Sequence, residues 1–143
     1  MPGSEAPAGE PDLGALLARL LPRLAAAEEP ILAGAGLSMW EYAIMTELAS
    51  GAVVSQADLS RRTGRDPTRL GRHLDDLRER GLVAREQASD RRRRSVRLTA
   101  EGERLYREVK AQVRAAEDDL LHDRLTADEA ARLRQLLARL TEE

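Results

Sequence analysis

Residues 55–102 contain the most informative pattern in this chain, SQADLSRRTGRDPTRLGRHLDDLRERGLVAREQASDRRRRSVRLTAEG. Gly64 separates two short segments, and Asp66 followed by Pro67 is the N-cap and first-position pair that opens a helix. The apolar stripe of this second helix is Leu70, Leu74 and Leu77. Gly81 is placed to stop it. Two short helices joined by a tight turn that contains glycine predict a helix-turn-helix.

The shorter first helix of this pair is predicted from its own ends. Ser55 and Asp58 resemble a capping box in which aspartate takes the place of glutamate, and Gly64 is a favourable left-handed C-terminal residue. After the second helix, strands are expected at Leu82–Glu86 and Ser95–Thr99. The residues between the strands form a polar, arginine-rich loop, so the hairpin is interpreted as a wing.

Positive charge is concentrated in the same part of the chain. Residues 55–97 carry thirteen arginines and seven acidic residues, a net charge of +6, although the whole chain has a formal charge of −2. Residues 1–54 carry two basic and seven acidic residues (−5), and residues 98–143 carry eight basic and eleven acidic residues (−3). A local basic region is typical of a polyanion binder, because neutralised phosphates release counterions. A solvated charged surface is the alternative interpretation of charge alone.

The exposed face of the second helix changes sign along its length. A step of about 100° per residue from the leucine stripe places Thr68, Arg69 and Arg72 on the exposed side of the first two turns. The later turns are acidic, at Asp75, Asp76 and Glu79. Phosphates would repel that acidic end, so we expect the N-terminal end to enter the major groove of DNA. Arg69 or Arg72 would contact a guanine there, and Thr68 a thymine methyl group or a phosphate.

The two histidines are weaker candidates for function. His73 lies close to the leucine stripe, which favours a partly buried, hydrogen-bonded side chain over a base contact. His122 follows Asp118 by four residues, so the two side chains share one face of a helix. Two ligands do not make a metal site, and an ordinary helix surface is the prediction there.

Apolar helices are predicted on both sides of the winged region. The first runs from about Asp12, the expected cap, to Glu28, and Pro22 is expected to kink it. A loop that contains Pro30 follows, and Ser38 is placed to cap a second helix over residues 39–49.

Two further apolar helices are predicted after the wing. One begins at Thr99 or Ala100, and the last opens with a capping box at Thr126. The first helix of the chain and these two carry more leucine than the winged region can cover, so we expect them to pack against a second copy of the chain. A monomer in which they bury one another is the alternative.

The fold class that follows is mainly α (α+β), a winged helix-turn-helix with a two-stranded wing and with N- and C-terminal dimerisation helices. A length of 143 residues suits a single domain. We expect a disordered N-terminal tail at residues 1–11 and a dimerisation helix with its linker at residues 12–36. The DNA-binding region is expected at residues 37–99, and the C-terminal dimerisation helices at residues 100–143.

Three motifs surround the wing: RGLVAR at residues 80–85, DRR at 90–92 and VRLTAEG at 96–102. In order and spacing they resemble the signature of the MarR family of winged helix-turn-helix transcriptional regulators, which reads G-L-[VI]-x-R, D-x-R and [VI]-x-L-T-x-x-G before a long helix. The resemblance implies a bacterial repressor that binds double-stranded DNA at a pseudo-palindromic operator as a homodimer. It also implies that the recognition helix reads the major groove and that the wing reaches the minor groove.

The resemblance assigns roles to individual wing residues. The arginine that enters the minor groove corresponds to Arg92, Asp90 holds the loop, and Arg85 on the first strand pairs with Asp90. A narrow minor groove concentrates negative potential, which attracts an inserted arginine. The neighbouring arginines of the tip can share or replace that role: Arg91, Arg93 and Arg94.

Members of the family commonly bind small aromatic ligands between the dimer helices and the winged domain, and the ligand lowers DNA affinity. The residues that could line such a pocket here are Met39, Trp40, Tyr42 and Met45. A hydrophobic core is the alternative interpretation of these four side chains. Sensing through a reactive thiol is excluded, because the chain contains no cysteine.

Composition excludes several other classes of protein. Without cysteine there is no disulfide, thiolate nucleophile or Cys-ligated metal site. Two distant histidines and no evident carboxylate pair predict neither an enzyme nor a cofactor site. No apolar run approaches the roughly 20 residues that span a bilayer, and the first residues lack a signal sequence. We therefore expect a soluble, cytoplasmic protein without membrane contact.

The alternative function is a winged-helix interaction module that binds an acidic protein partner through its basic surface. The arginine-rich wing favours DNA, because winged helices that bind proteins usually lose a basic wing. Single-stranded nucleic acid is disfavoured, because the three aromatic rings lie outside the basic segment and offer no stacking platform there.

Overall fold

The computed structural model describes residues 3, 7–51, 53–86 and 94–142. Its elements, in chain order, are α1 (Leu13–Gly34), α2 (Met39–Leu48), β1 (Val54–Ser55), α3 (Gln56–Thr63), α4 (Pro67–Glu79), β2 (Val83–Glu86), β3 (Ser95–Leu98), α5 (Ala100–His122) and α6 (Ala127–Thr141). Helices α3 and α4 form the helix-turn-helix, strands β2 and β3 form the wing, and α1, α5 and α6 flank this region. The predicted winged helix-turn-helix is confirmed.

Most of the predicted helix starts are confirmed by their caps. Ser38 Oγ accepts the backbone N–H of Glu41 at 3.1 Å, and a Glu41 carboxylate oxygen accepts the N–H of Ser38 at 2.9 Å. Asp66 caps α4, and Thr126 opens α6 with a complete capping box. Asp12 occupies the N-cap of α1 without a side-chain cap hydrogen bond. These caps satisfy backbone donors that the first turn of a helix leaves without partners.

The first helix is longer than the prediction. We expected it to end at Glu28 and placed Pro30 in a loop, but α1 continues to Gly34 with Pro22 and Pro30 inside it. Each proline removes one backbone donor from the helix ladder. Helix α1 packs along α5 and buries Leu32 in the core, and this tertiary contact compensates for the lost hydrogen bonds. The linker to α2 is therefore only four residues long, 35–38.

The sheet has one strand more than the predicted two. Its order is β1-β3-β2 and all pairs are antiparallel, with Val83 opposite Leu98 in the predicted hairpin. The additional strand, β1, places Val54 opposite Val96. A strand of two residues is too short for an alternating pattern, so the sequence carried no signal for it.

A hydrophobic core joins the winged region to α1 and α5. The predicted stripe of α4 lies at its centre, with Leu70, Leu74 and Leu77 no more than 1% exposed. The core also contains Ile44, Met45, Leu48, Leu59, Val96, Tyr106, Val109 and Val113. Burial of each large aliphatic side chain contributes about 1.5–3 kcal/mol, so this shared core fixes the winged region against the long helices.

The L-T-x-x-G motif closes the wing onto α5. Thr99 donates its backbone N–H to the Leu82 carbonyl at 3.0 Å and its hydroxyl to the Gly81 carbonyl at 2.7 Å. The same hydroxyl accepts the N–H of Gly102 at 3.0 Å. A Cβ atom on Gly102 would collide with the Leu82 carbonyl, so the first turn of α5 approaches Leu82 this closely only with glycine.

The outer faces of the terminal helices expose leucine in the single chain. The exposed side chains are Leu13, Leu16, Leu17 and Leu21 on α1 and Leu136, Leu137 and Leu140 on α6. Leu140 is 74% exposed and Leu13 is 62% exposed. Among the described residues, no helix combines the length and apolar character needed to cross a membrane.

Candidate nucleic-acid interface

The first two turns of α4 present the predicted contact residues to solvent. Thr68, Arg69 and Arg72 are all exposed, while the leucines on the opposite face are buried. The Asp66 carboxylate fixes the start of the helix by accepting the N–H of Arg69 at 3.0 Å. The structure therefore brings the three predicted side chains together on one free helical surface.

The two arginines of this surface differ in their surroundings. Arg69 Nε lies 3.4 Å from a carboxylate oxygen of Asp66. The pKa of Asp66 is lowered, first by the backbone hydrogen bond from Arg69 and also by the nearby guanidinium. Arg72 forms no ion pair with a described residue. Arg72 is therefore free to contact a base or a phosphate directly. Arg69 would first have to break its ion pair with Asp66, which is exposed and therefore weak.

Arg85 fastens the wing to α4. Its guanidinium pairs with the Asp75 carboxylate and donates to the Gly71 carbonyl at 3.2 Å, and its side chain is only 15% exposed. Arg85 thus partly neutralises the acidic end of α4. Asp90, the partner expected from the resemblance, lies outside the described residues, so that pairing stays a prediction. The contact with Asp75 was not anticipated, because it joins a strand to a helix ten residues earlier.

Of the predicted wing-tip residues, only Arg94 falls within the described part of the chain. Arg91, Arg92 and Arg93 lie outside it, as does Asp90. The Arg94 carbonyl accepts the N–H of Gln56 at 2.8 Å, which joins the beginning of β3 to the first turn of α3. Arg94 therefore marks the base of the wing beside the helix-turn-helix.

Arg65 is a further candidate, which the sequence patterns did not predict. Its guanidinium carbon lies 4.3 Å from the centre of the Trp40 ring, a cation–π contact, and Ser60 Oγ donates to its carbonyl at 2.5 Å. Because Arg65 immediately precedes the N-cap of α4, this stacking holds a further cation beside the N-terminal end of the helix. The sequence signal that could have indicated Arg65 is its position in the turn directly before Asp66 and Pro67, which open α4.

The histidines take the places expected from their spacing. His73 is half-buried on α4, but it forms no hydrogen bond with a described residue. His122 is exposed at the end of α5, and Asp118 instead accepts a hydrogen bond from Arg134 of α6 at 2.7 Å. This bond is the main reason why the pKa of Asp118 is lowered. Within the described ranges, no three potential metal ligands lie close together.

The four residues predicted to line a ligand pocket point in different directions. Met45 is fully buried in the core, and Tyr42 stacks on Tyr106 with ring centres 5.5 Å apart. Trp40 supports Arg65, and Met39 lines a cavity between α1 and α2. Successive side chains on a helix point about 100° apart around its axis. Residues that are close in sequence therefore do not all line the same pocket.

The cavity that Met39 lines lies between the second half of α1 and the start of α2. Its volume is about 360 Å³. It is lined by Ala25, Glu28, Glu29, Leu32, Ala33, Leu37, Ser38 and Met39. The pKa of Glu28 is raised, mainly by burial and also by the Glu117 carboxylate of α5. Burial is also the first cause of the raised pKa of Tyr42, with a smaller contribution from Glu28.

Arg80 connects the wall of this cavity to α4. It stands at the C-cap of α4 and donates to the carbonyls of Gly36 and Ala35 at 2.7 and 3.1 Å. It also lies 3.8 Å from the carboxylate of Glu41, the capping-box residue of α2. The linker between α1 and α2 is therefore held directly by α4.

Comparison with known proteins supports the same architecture. Residues 35–94 match the family model described as MarR family. A MarR family transcriptional regulator from Rhodococcus sp. RHA1 is 30% identical, with 96% of each chain covered and a TM-score of 0.78. A MarR family protein of Mycobacterium tuberculosis in complex with salicylic acid is 31% identical, with 94% of this chain and 99% of that chain covered and a TM-score of 0.74.

The same mycobacterial protein has also been solved in complex with DNA. In that structure the identity is 29%, with 93% of this chain and 100% of that chain covered and a TM-score of 0.77. The likenesses extend over nearly the full length of both chains and include the flanking helices as well as the winged region. With the winged helix, the L-T-x-x-G closure and these matches together, the chain belongs to the MarR family of transcriptional regulators.

Proposed function

We propose that this chain is a sequence-specific regulator that binds a pseudo-palindromic operator in double-stranded DNA as a homodimer. The observation that carries the proposal is the exposed surface of Thr68, Arg69 and Arg72 on the first two turns of α4. The leucines behind that surface anchor the helix in the core. The mycobacterial relative has been solved with DNA, which supports the same kind of partner here.

In the major groove, Arg69 and Arg72 are the proposed base readers. An arginine that donates two hydrogen bonds to guanine O6 and N7 contributes about 1–3 kcal/mol of discrimination against another base. Thr68 contacts a thymine methyl group or a phosphate. Arg65, held over Trp40, is placed to contact a phosphate beside the helix start.

The wing is proposed to reach the adjacent minor groove. Arg92 is the proposed inserted residue, with Arg91, Arg93 and Arg94 supplying further positive charge. Arg85 supports this placement, because it ties the first strand of the wing to α4. Wing and recognition helix would then bind the duplex as one unit.

A second copy of the chain is the proposed partner of the terminal helices. The exposed leucines on α1 and α6 give each chain a self-complementary apolar face. A two-fold dimer places its recognition helices about 34–36 Å apart, one turn of the duplex, and so matches a two-fold operator. Repression is the proposed outcome, because a dimer bound across an operator obstructs the polymerase.

Release by a small ligand completes the proposal. The mycobacterial relative has been solved with salicylic acid. In this chain the cavity between α1 and α2 has a volume of about 360 Å³, within the range of small-molecule sites. A ligand there would lie beside the linker that Arg80 connects to α4.

The proposal is tested by fluorescence anisotropy with a duplex from upstream of the chain's own gene and a scrambled duplex of equal length. Arg69→Ala or Arg72→Ala should weaken binding to the upstream duplex by about 1–3 kcal/mol and leave binding to the scrambled duplex nearly unchanged. Arg92→Ala should weaken binding to the upstream duplex and to the scrambled duplex by more similar amounts. Arg124→Ala, which removes an exposed arginine of the turn between α5 and α6, is the control and should change neither. Equal losses on both duplexes for all three variants would contradict the proposed division of roles.

A further inference from the structure

The cavity between α1 and α2 has a charge that restricts what it can bind. Two carboxylates, Glu28 and Glu29, belong to its lining, and none of the described lining residues is basic. Glu28 is half-buried and has no hydrogen bond or ion pair with a described residue, and its burial raises its pKa. An unpaired carboxylate in a partly desolvated position is unfavourable unless a cation or donor meets it.

Two arginines of neighbouring elements are already paired with other groups. Arg80 is held by the carbonyls of the α1–α2 linker and by Glu41. Arg134 hydrogen-bonds Asp118 and lies 3.9 Å from Glu117, the carboxylate that faces Glu28. Neither arginine lines the cavity. An anionic ligand would therefore meet two carboxylates, with no cation among the described lining residues to compensate for them.

The remaining wall of the cavity is largely apolar. It consists of Ala25, Leu32, Ala33, Leu37 and Met39, with Ser38 beside them. Such a wall suits an aromatic ring or a short alkyl group, and the two carboxylates suit a positive charge. The volume of about 360 Å³ accommodates one such molecule.

We propose that this cavity binds an amphipathic organic cation, an aromatic or alkyl ammonium, rather than an aromatic carboxylate. The inference rests on the proposed function, because it names the chemical class of the ligand that releases DNA. Glu28 and Glu29 receive the ammonium group, and the apolar wall receives the ring or chain. The choice differs from the salicylic acid bound by the mycobacterial relative, since this chain supplies carboxylates to its cavity.

The same geometry links the ligand to the DNA-facing helix. Leu37, Ser38 and Met39 line the cavity and directly follow Gly36, whose carbonyl accepts a hydrogen bond from Arg80. A ligand that shifts this segment changes where Arg80 holds the end of α4. Bound cation should therefore lower the affinity for DNA.

The test compares benzyltrimethylammonium with benzoate, two probes of similar size and opposite charge, by isothermal titration calorimetry on the full chain. We expect the cation to bind at least about tenfold more tightly than benzoate. Glu28→Gln with Glu29→Gln should weaken the cation by about tenfold. The control, Asp123→Asn with Glu142→Gln, removes two exposed carboxylates elsewhere and should leave cation binding unchanged. Melting curves of both double variants show whether each is folded.

Three results would overturn the inference. Benzoate could bind more tightly than benzyltrimethylammonium, or the Glu28→Gln, Glu29→Gln double variant could bind the cation as tightly as the unsubstituted chain. The third is that neither probe binds at about 10 mM. Anisotropy with the upstream duplex provides the second readout. Saturating cation should raise the dissociation constant for DNA, and an unchanged constant would contradict the link to release. Binding of the duplex without any probe is measured separately, so failure of the proposed function is distinguished from failure of the ligand class.

Discussion

Arg80 donates from Nη1 to the carbonyl oxygen of Gly36 at 2.7 Å, across 44 positions in the sequence. The other end nitrogen, Nη2, donates to the Ala35 carbonyl at 3.1 Å. Gly36 has a φ of +70°, and a Cβ atom there would lie 3.2 Å from Nη2 of Arg80. The left-handed glycine and the arginine therefore fit one another, and together they fix the end of α1 against the end of α4.

Replacing Arg80 by alanine should lower the free energy of unfolding by about 1–2 kcal/mol, because it removes two hydrogen bonds from a charged donor. The side chain is 37% exposed, so water satisfies part of the loss. Urea unfolding followed by circular dichroism measures the change. Arg78→Ala removes an exposed arginine two positions away and should have a much smaller effect. Equal destabilisation by the two variants would contradict the structural role of Arg80.

Gly102→Ala should be more damaging, with a loss of about 2–4 kcal/mol, because its Cβ meets the carbonyl of Leu82 and the backbone must move. Gly14→Ala is the matched control. A Cβ at Gly14 meets no atom within 4 Å, so alanine there should be neutral or should stabilise α1 by up to about 1 kcal/mol. The comparison requires only thermal melting. A melting temperature of Gly102→Ala equal to that of the unsubstituted chain would refute the close approach of α5.

Leu21→Glu combined with Leu140→Glu should convert a dimer into a monomer. Both side chains are highly exposed in the single chain, at 60% and 74%, so their replacement costs the isolated fold little. Light scattering should give about twice the chain mass of 15.8 kDa for the unsubstituted protein, and the mass of a single chain for the double variant. Val53→Glu, which places a charge on an exposed apolar residue outside the terminal helices, should leave the mass unchanged. A monomeric unsubstituted chain would contradict the proposed assembly.

Glu28→Gln should stabilise the protein in a pH-dependent manner. Burial raises the pKa of Glu28 above 4.5, with Glu117 as the second cause, and Glu29 and Tyr42 lie nearby. The folded chain therefore loses stability, relative to the amide variant, as the pH rises from 4.5 through the raised pKa. Below that range, Glu28 is protonated in both the folded and the unfolded chain. The difference in stability between the unsubstituted chain and Glu28→Gln then disappears.

The expected gain near neutral pH is small, about 0.5 kcal/mol or less, because Glu28 is only half-buried and solvent screens its charge. Melting temperatures at about pH 4 and about pH 7.5 measure it. The exposed Glu142→Gln serves as the reference for loss of one carboxylate. A gain of equal size at both pH values would exclude titration of Glu28 as its cause.

What the sequence predicted well was encoded locally. Asp66, Pro67 and the leucine stripe define α4 within a few residues of one another, and the structure confirms that helix and its exposed arginines. The caps at Ser38 and Thr126 are equally local. Interactions over three or four residues leave a pattern that can be read before the fold is known.

The features that were missed depend on contacts between distant segments. The grip of Arg80 on Gly36 and the pairing of Arg85 with Asp75 have no periodic signature. Pro30 suggested a loop on local grounds, but packing of α1 along α5 keeps it within the helix. Trp40 and Met45 are close in sequence, yet one supports Arg65 and the other lies in the core.

The most direct test of the central claim, specific recognition of duplex DNA, is the affinity for the upstream and scrambled duplexes across a series of salt concentrations. We predict a preference of about a thousandfold for the upstream duplex at about 0.15 M salt, within the range of specific regulators. We also predict a steep fall of log affinity with log salt, by about 0.9 for each neutralised phosphate. Equal affinity for the two duplexes, or no dependence on salt, would contradict the claim and point to an acidic protein partner.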